Sequence, residues 1–216
     1  MVEGAASGWR EARRQSARDA IVDAAWELVR ADGLAALSIR DLAKRAGITT
    51  PTIYAYFDSK HAIYDAMFGR AAAEFADRMT EPYGSENPRD VLVAGVERFV
   101  EFCTTDPARY QLLFQRPIPG FSPSSESFAP AVRALDASRQ RLAVNRIVDP
   151  RHLDMWTALT TGLVDQQISN DPGGTRWSSL TEEVVDMFLT YCQTSQLAPR
   201  VPGPSKGERG GRDRQG

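Results

Sequence analysis

SIRDLAKRAGITTPTIYAYFDSK, residues 38–60, decides the fold. Ser38 with Asp41 three positions later is a helix-start pattern, because a serine hydroxyl can accept from the amide at the third helical position. Gly47 breaks that helix. A second short helix follows from about Thr50, with Pro51 in its first turn, where a missing N–H does little harm. Two helices joined by a turn of about four residues make a helix-turn-helix. Ala43 is the small residue that lets the helices cross closely, Gly47 permits the turn, and Ile53 packs back on the first helix. Leu42, Ile48 and Phe57 fill the space beneath. The second helix of such a unit enters the major groove of DNA. Its residue types suit that place. Thr49, Thr50 and Thr52 offer hydroxyls, and Pro51 and the threonine methyls suit a thymine methyl. Tyr54 and Tyr56 offer phenols to phosphate oxygens. Lys60 opens the next helix, where charge and dipole both favour a phosphate, and Ser38 and Arg40 stand similarly at the start of the first. The second helix carries no Arg or Asn, so groove shape is expected to matter beside direct base reading.

Outward from this segment the sequence is helical throughout, with no alternating strand pattern. Ile21, Ala24, Ala25, Leu28 and Val29 share one face of a helix that stops near Asp32-Gly33. Asp58 or Ser59 caps a fourth helix, with Tyr64, Met67, Phe68, Ala71 and Phe75 on its apolar face, ended by Pro82. A fifth carries Leu92, Val96, Phe99, Val100 and Cys103. Asp106-Pro107 starts a short sixth. A loop covers 117–125, and a seventh helix runs from about Ser127 to Ile147 with Pro130 in its first turn. Asp149-Pro150 opens an eighth. After a loop at 170–174, a ninth has Leu180, Val184, Phe188 and Tyr191 in register. The expected architecture is all-α with nine helices. Its parts are a flexible start (1–12), a three-helix helix-turn-helix domain (13–58), a larger helical regulatory and dimerisation domain (59–197) and a disordered tail (198–216).

Hydrophobic residues make up 42% of the 216, enough for a folded core. The formal net charge of −2 does not announce a nucleic-acid binder. The acidity sits mainly in 82–198, with 10 basic and 14 acidic side chains, whereas 38–60 holds Arg40, Lys44, Arg45 and Lys60 against Asp41 and Asp58. DNA contact has to draw on that local surplus. Arg13, Arg14 and Arg18 read either as further backbone contacts or as a solvated face, and Arg209, Arg212 and Arg214 as nonspecific attraction or a solubilising tail. Cys103 and Cys192 read as buried, reduced thiols. There is no secretory signal pattern and no run near ~18 apolar residues, so the chain reads as soluble and cytoplasmic. His61 and His152 lack metal-ligand spacing, and both read as surface residues. No phosphate-cradling glycine loop, nucleophile elbow or cofactor motif stands out, which argues against an enzyme.

Residues about 14–66 resemble the DNA-binding domain of TetR-family regulators, above all Ser38–Ala43, Ala46–Thr49 and Ile53–Lys60. The resemblance implies phosphate contacts at Tyr54, Lys60 and Tyr56, the last a place where that family commonly has His. It implies a homodimer, with the eighth and ninth helices forming a four-helix seam at Gly162, Leu163, Gln166, Val184, Val185 and Phe188. It also implies a small-molecule pocket among helices four to eight. Asp106–Phe114, with Trp156 and Gly162, is similar to the regulatory half of one subgroup. Phe99, Cys103, Tyr110, Phe114, Trp156 and Thr160 are the candidate lining, since aromatics with a few polar tips suit an apolar ligand; plain core is the competing reading. Asp165, Gln166 and Gln167 face that ligand, the dimer seam or solvent. The expected function is a ligand-responsive regulator, usually a repressor, released from a palindromic double-stranded DNA operator by a small apolar effector. The alternatives are control by a protein partner, or an interaction module without DNA binding.

Overall fold

A computed structural model describes residues 2–197, with side chains from 8 to 195. The described residues form nine α-helices: α1 (Val2–Asp32), α2 (Ile39–Arg45), α3 (Thr50–Tyr56), α4 (Lys60–Thr80), α5 (Pro88–Thr105), α6 (Pro107–Phe114), α7 (Ser125–Val144), α8 (Pro150–Asn170) and α9 (Thr181–Leu197). Single 3-10 turns precede α2 (Leu34–Ala36) and α9 (Ser178–Leu180). The segment expected to be flexible, 1–12, is helical from Val2 as an extension of α1. The tail at 198–216 lies outside the described residues.

Most starts follow from a cap. Ser38, Thr49, Ser59, Asn87, Asp106, Ser124 and Asp149 each accept a backbone N–H of the helix that they open. The end of α2 is a Schellman motif: Gly47 N–H donates to the Lys44 carbonyl at 3.3 Å and Ile48 N–H to the Ala43 carbonyl at 3.0 Å. Gly47 has φ +68°, the left-handed region where a side chain is strained.

Two apolar cores meet on α4. The first joins α1, α2 and α3 to the N-terminal part of α4 through Ile21, Trp26, Leu42, Ile53, Phe57, Ile63, Tyr64 and Met67, and is closed by Leu112 and Ile118. The second joins α5, α8 and α9 to the C-terminal end of α4 through Met79, Phe99, Cys103, Trp156, Val164 and Phe188. The expected domain boundary at 58/59 therefore falls beside a helix that belongs to both cores.

α7 lies along α4. Gly69 allows this, because a Cβ there would stand 2.9 Å from Ser127 Oγ. Asp65 fixes the start of α7 by accepting from Ser124 N at 2.6 Å, Ser124 Oγ at 2.9 Å and Ser127 Oγ at 2.9 Å. That start is two residues earlier than the sequence suggests, because Ser124 is the cap. Pro130 therefore sits inside the helix, beyond its first turn, and supplies no N–H to the Glu126 carbonyl.

Candidate nucleic-acid interface and regulatory cavity

α3 is anchored from one side. Ile53 and Phe57 are buried in the first core, and Arg18 of α1 stacks on Phe57 at 4.2 Å while donating to the Tyr56 carbonyl. Arg18 is therefore tied to the scaffold. The opposite face is open: Thr49 and Pro51 are exposed, Tyr54 is 50% exposed, and Thr50, Thr52 and Tyr56 are partly covered. Two of the threonines are engaged with each other. Thr49 Oγ1 accepts from Thr52 N at 3.3 Å and lies 2.8 Å from Thr52 Oγ1. Ser38 is likewise a cap, accepting from Asp41 N at 3.1 Å and donating to its carboxylate. Arg40 is exposed beside it.

Lys60 begins α4, its ammonium 5.5 Å from the Tyr64 ring. Tyr64 is buried and donates to the Leu34 carbonyl, which ties α4 to the turn before α2. Arg10, Arg13 and Arg14 of α1 border one shallow cleft with Pro51, Thr52, Ala55 and Tyr56. The sequence marked Arg13 and Arg14 but not Arg10, because nothing in it told how far α1 extends upstream. His61 is exposed, 6.0 Å from the Phe121 ring.

The C-terminal part holds a cavity of about 250 Å³ among α4, α5, α6, α7 and α8. Of the candidate lining residues, Phe99, Phe114, Trp156 and Thr160 line this cavity. Cys103 and Tyr110 do not. Both are packed in the second core, and the Tyr110 phenol donates to Asp165 at 2.8 Å. Burial and that carboxylate push the phenol up, and burial pushes the Cys103 thiol up, so both stay protonated near neutrality. The sequence missed the walls from α4 and α7, notably Phe75, Met79, Phe128 and Arg141. Phe75, Phe99 and Phe114 meet edge to face at 5.2–5.9 Å. Their phase on each helix marked them as apolar, but no local signal told which helices would face each other.

The expected dimer residues divide. Gly162 and Val184 are partly covered and Gln166 is exposed, but Leu163, Val185 and Phe188 are packed inside a single chain. α9 has apolar residues on two faces. Thr181, Val185, Phe188 and Cys192 turn inward, whereas Met187 (55% exposed) and Tyr191 (47%) turn outward, with Leu180 of the preceding turn also exposed. The register expected from sequence mixed the two. His152 is also corrected: it is 6% exposed, edge-on to Phe188 and Tyr191. Of the three polar residues on α8, Asp165 accepts from Tyr110 and Gln115. Gln166 accepts from Asn170, and Gln167 is buried, accepting from Trp177 N and Ser178 N at 3.0 Å each.

Among the described residues no helix is long and apolar enough to cross a membrane, and no group of three His, Cys, Asp or Glu could hold a metal. Residues 21–67 match the family model described as bacterial regulatory proteins, tetR family. An HTH-type transcriptional regulator of Mycobacterium tuberculosis is 27% identical over 136 residues, which cover 59% of this chain and 58% of that one. The chain thus matches somewhat over half the length of this relative. Two crystal structures share the fold. One is a tetR-family transcriptional regulator from Streptomyces coelicolor (TM-score 0.66, 20% identity, covering 84% of this chain and 83% of that one). The other is the regulator FadR from Bacillus subtilis in complex with stearoyl-CoA (TM-score 0.65, 18% identity, covering 79% and 97%). The helix-turn-helix thus lies inside a segment that matches the tetR family of bacterial regulatory proteins, and the all-helical architecture is shared with these two structures.

Proposed function

We propose that this chain is a DNA-binding transcription regulator, acting as a homodimer whose operator affinity is set by a small molecule in the regulatory cavity. One observation carries the DNA reading. α3 is held through Ile53, Phe57 and Arg18, and keeps Pro51 and Tyr54 exposed beside the arginines of α1. A short helix with a buried back and a polar, hydroxyl-rich front suits a major groove. Tyr54, Tyr56 and Lys60 would hold phosphates, with Ser38 and Arg40 at the start of α2. Since the Ser38 hydroxyl is committed to capping, its contact would run through the exposed backbone turn or through Arg40.

The ligand reading is supported by α4. The same helix carries Tyr64 and Phe68 in the core under the helix-turn-helix, and Phe75 and Met79 in the cavity wall. Phe128 of α7 lines the cavity and stacks on Phe68 at 6.1 Å. A molecule that displaces Phe75 or Phe128 therefore bears on the element that seats α3. In a dimer this would move the two α3 helices off the roughly 34–36 Å spacing of successive major grooves. A coupling of ~1–3 kcal/mol would be usual. FadR with its stearoyl-CoA supports a ligand-bearing reading of the shared fold. The outward faces of α8 and α9, with Met187 and Tyr191, would form the seam.

The test is capture of genomic fragments by the full chain, followed by titration of the recovered duplex at several salt concentrations. Lys60→Ala should weaken binding and reduce the salt slope by about one. Tyr54→Phe should weaken binding with the slope unchanged. Equal binding by both variants would reject this docking. Absence of any salt-sensitive duplex affinity would favour an interaction module instead.

A further inference from the structure

We propose that the regulatory cavity selects an apolar molecule bearing a single carboxylate, held by Arg141. This rests on the reading of that cavity as the effector site. The wall is aromatic and aliphatic apart from a few hydroxyls and one charged residue, Arg141 of α7. The hydroxyls of Thr157 and Thr160 are spent on their own helix, donating to the Leu153 and Trp156 carbonyls at 2.9 Å. They leave the guanidinium as the strong polar group in the cavity.

Arg141 is poorly compensated where it stands. Its Nη1 donates to the Met79 carbonyl at 3.0 Å, its Nη2 lies 3.5 Å from Ser138 Oγ, and its guanidinium lies 5.4 Å from the Tyr83 ring. Among the described residues no carboxylate is paired with it. Burial pushes it down from its ordinary value, and the neighbouring Arg98 adds repulsion. Capping the end of α4 uses only its Nη1, on the Met79 carbonyl. Arg98 already donates to the carbonyls of Arg78, Glu81 and Pro82 and covers Tyr83 at 4.0 Å. A guanidinium has five N–H donors in a planar fork, so most of those on Arg141 have no protein acceptor. Gly95 faces the Nε edge, where a Cβ would lie in van der Waals contact with Arg141 Nε and Tyr83 Oη, each at 3.6 Å.

A carboxylate fits this edge. Two parallel N–H···O bonds match its two oxygens, and the pair is neutral in a setting where an unpaired charge is costly. One cation in an apolar wall matches one negative charge; a phosphate dianion would bring a second. The apolar body would lie against Phe75, Phe99 and Trp156.

Isothermal titration of the full chain with matched acid and alcohol pairs tests this. The probes are octanoate against 1-octanol, and 4-phenylbutyrate against 4-phenyl-1-butanol. At least one acid should bind roughly tenfold or more tightly than its alcohol, the scale of a charge-assisted pair. Arg141→Met should erase that preference and keep the alcohol affinity. Gly95→Ala, which sets a methyl against the Nε edge and the Tyr83 hydroxyl, should weaken the acid more than the alcohol, and it serves if Arg141→Met does not fold. Equal affinity for acid and alcohol, or a preference that survives in Arg141→Met, overturns the inference and leaves the effector cavity standing. Binding of none of the four probes overturns both. Acid-selective binding without any change in operator affinity supports this inference and counts against the regulator reading.

Discussion

Asp106 joins the two halves of the molecule through one carboxylate. It caps α6 by accepting from Arg109 N at 3.1 Å, and it receives Arg30 from the end of α1 at 2.8–2.9 Å. The Asp-Pro pair announced a helix start in the sequence, but its partner 76 positions away did not announce itself. Asp106→Ala should cost about 1–2 kcal/mol in urea unfolding, mainly through the lost cap. Arg30→Ala should cost less, because the arginine is half in water and exposed pairs are weak. A larger loss for Arg30→Ala would put the stabilisation in the ion pair instead. Titration of buried groups makes a second prediction at this scale. Burial raises Cys103, Tyr110 and Tyr64 above their ordinary values in the folded chain. The unfolded chain therefore loses these protons first, so the stabilisation is complete below the unfolded values and declines as pH rises past them. Melting temperature should hold steady from pH 6 to 8 and fall progressively above about pH 9. Tyr110→Phe should flatten part of that fall, and an unchanged profile in this variant would assign it elsewhere.

Helix identities and starts were the most legible part of the chain, because they are written in short-range chemistry. Ser38, Thr49, Ser59, Asp106 and Asp149 each stand before a helix and cap it. Gly47 is the sharpest case. Its left-handed conformation ends α2 and aims α3, so Gly47→Ala should cost about 1 kcal/mol in stability. It should weaken DNA binding as well if α3 is the reading element. Packing between elements was much less legible. Gly69 reads in sequence as an ordinary helical glycine, yet it is where α7 crosses α4. Gly69→Ala should push against Ser127 and loosen the contacts of Asp65 with the start of α7, lowering the melting temperature by a few degrees. An unaffected melt would mean that Ser127 rotates aside without loss. α9 failed in another way. Periodicity finds apolar faces but does not rank them, and this helix has two, so a register through Phe188 of the inner face also takes in Tyr191 of the outer.

At the scale of the whole molecule, the surplus face of α9 bears on assembly. Scattered exposed apolar residues are ordinary. Here Met187 and Tyr191 recur on one side of α9, in line with Leu180 of the turn before it. The inner face already satisfies the fold of a single chain, with Val185, Phe188 and Cys192 in the core that also contains Trp156. The two faces should therefore separate by experiment. Met187→Glu combined with Tyr191→Glu should leave the melting temperature within a few degrees of the parent in dilute solution, while sedimentation shifts from dimer to monomer. Operator affinity should fall with it, since two α3 helices read a palindrome only when joined. Phe188→Ala should do the reverse, losing about 3–5 kcal/mol of stability through a core cavity. Were the double variant still dimeric, the seam would lie elsewhere. Were Phe188→Ala a stable monomer, the inward packing of α9 would be wrong, and with it the separation between the residues that hold one chain together and those proposed to join two.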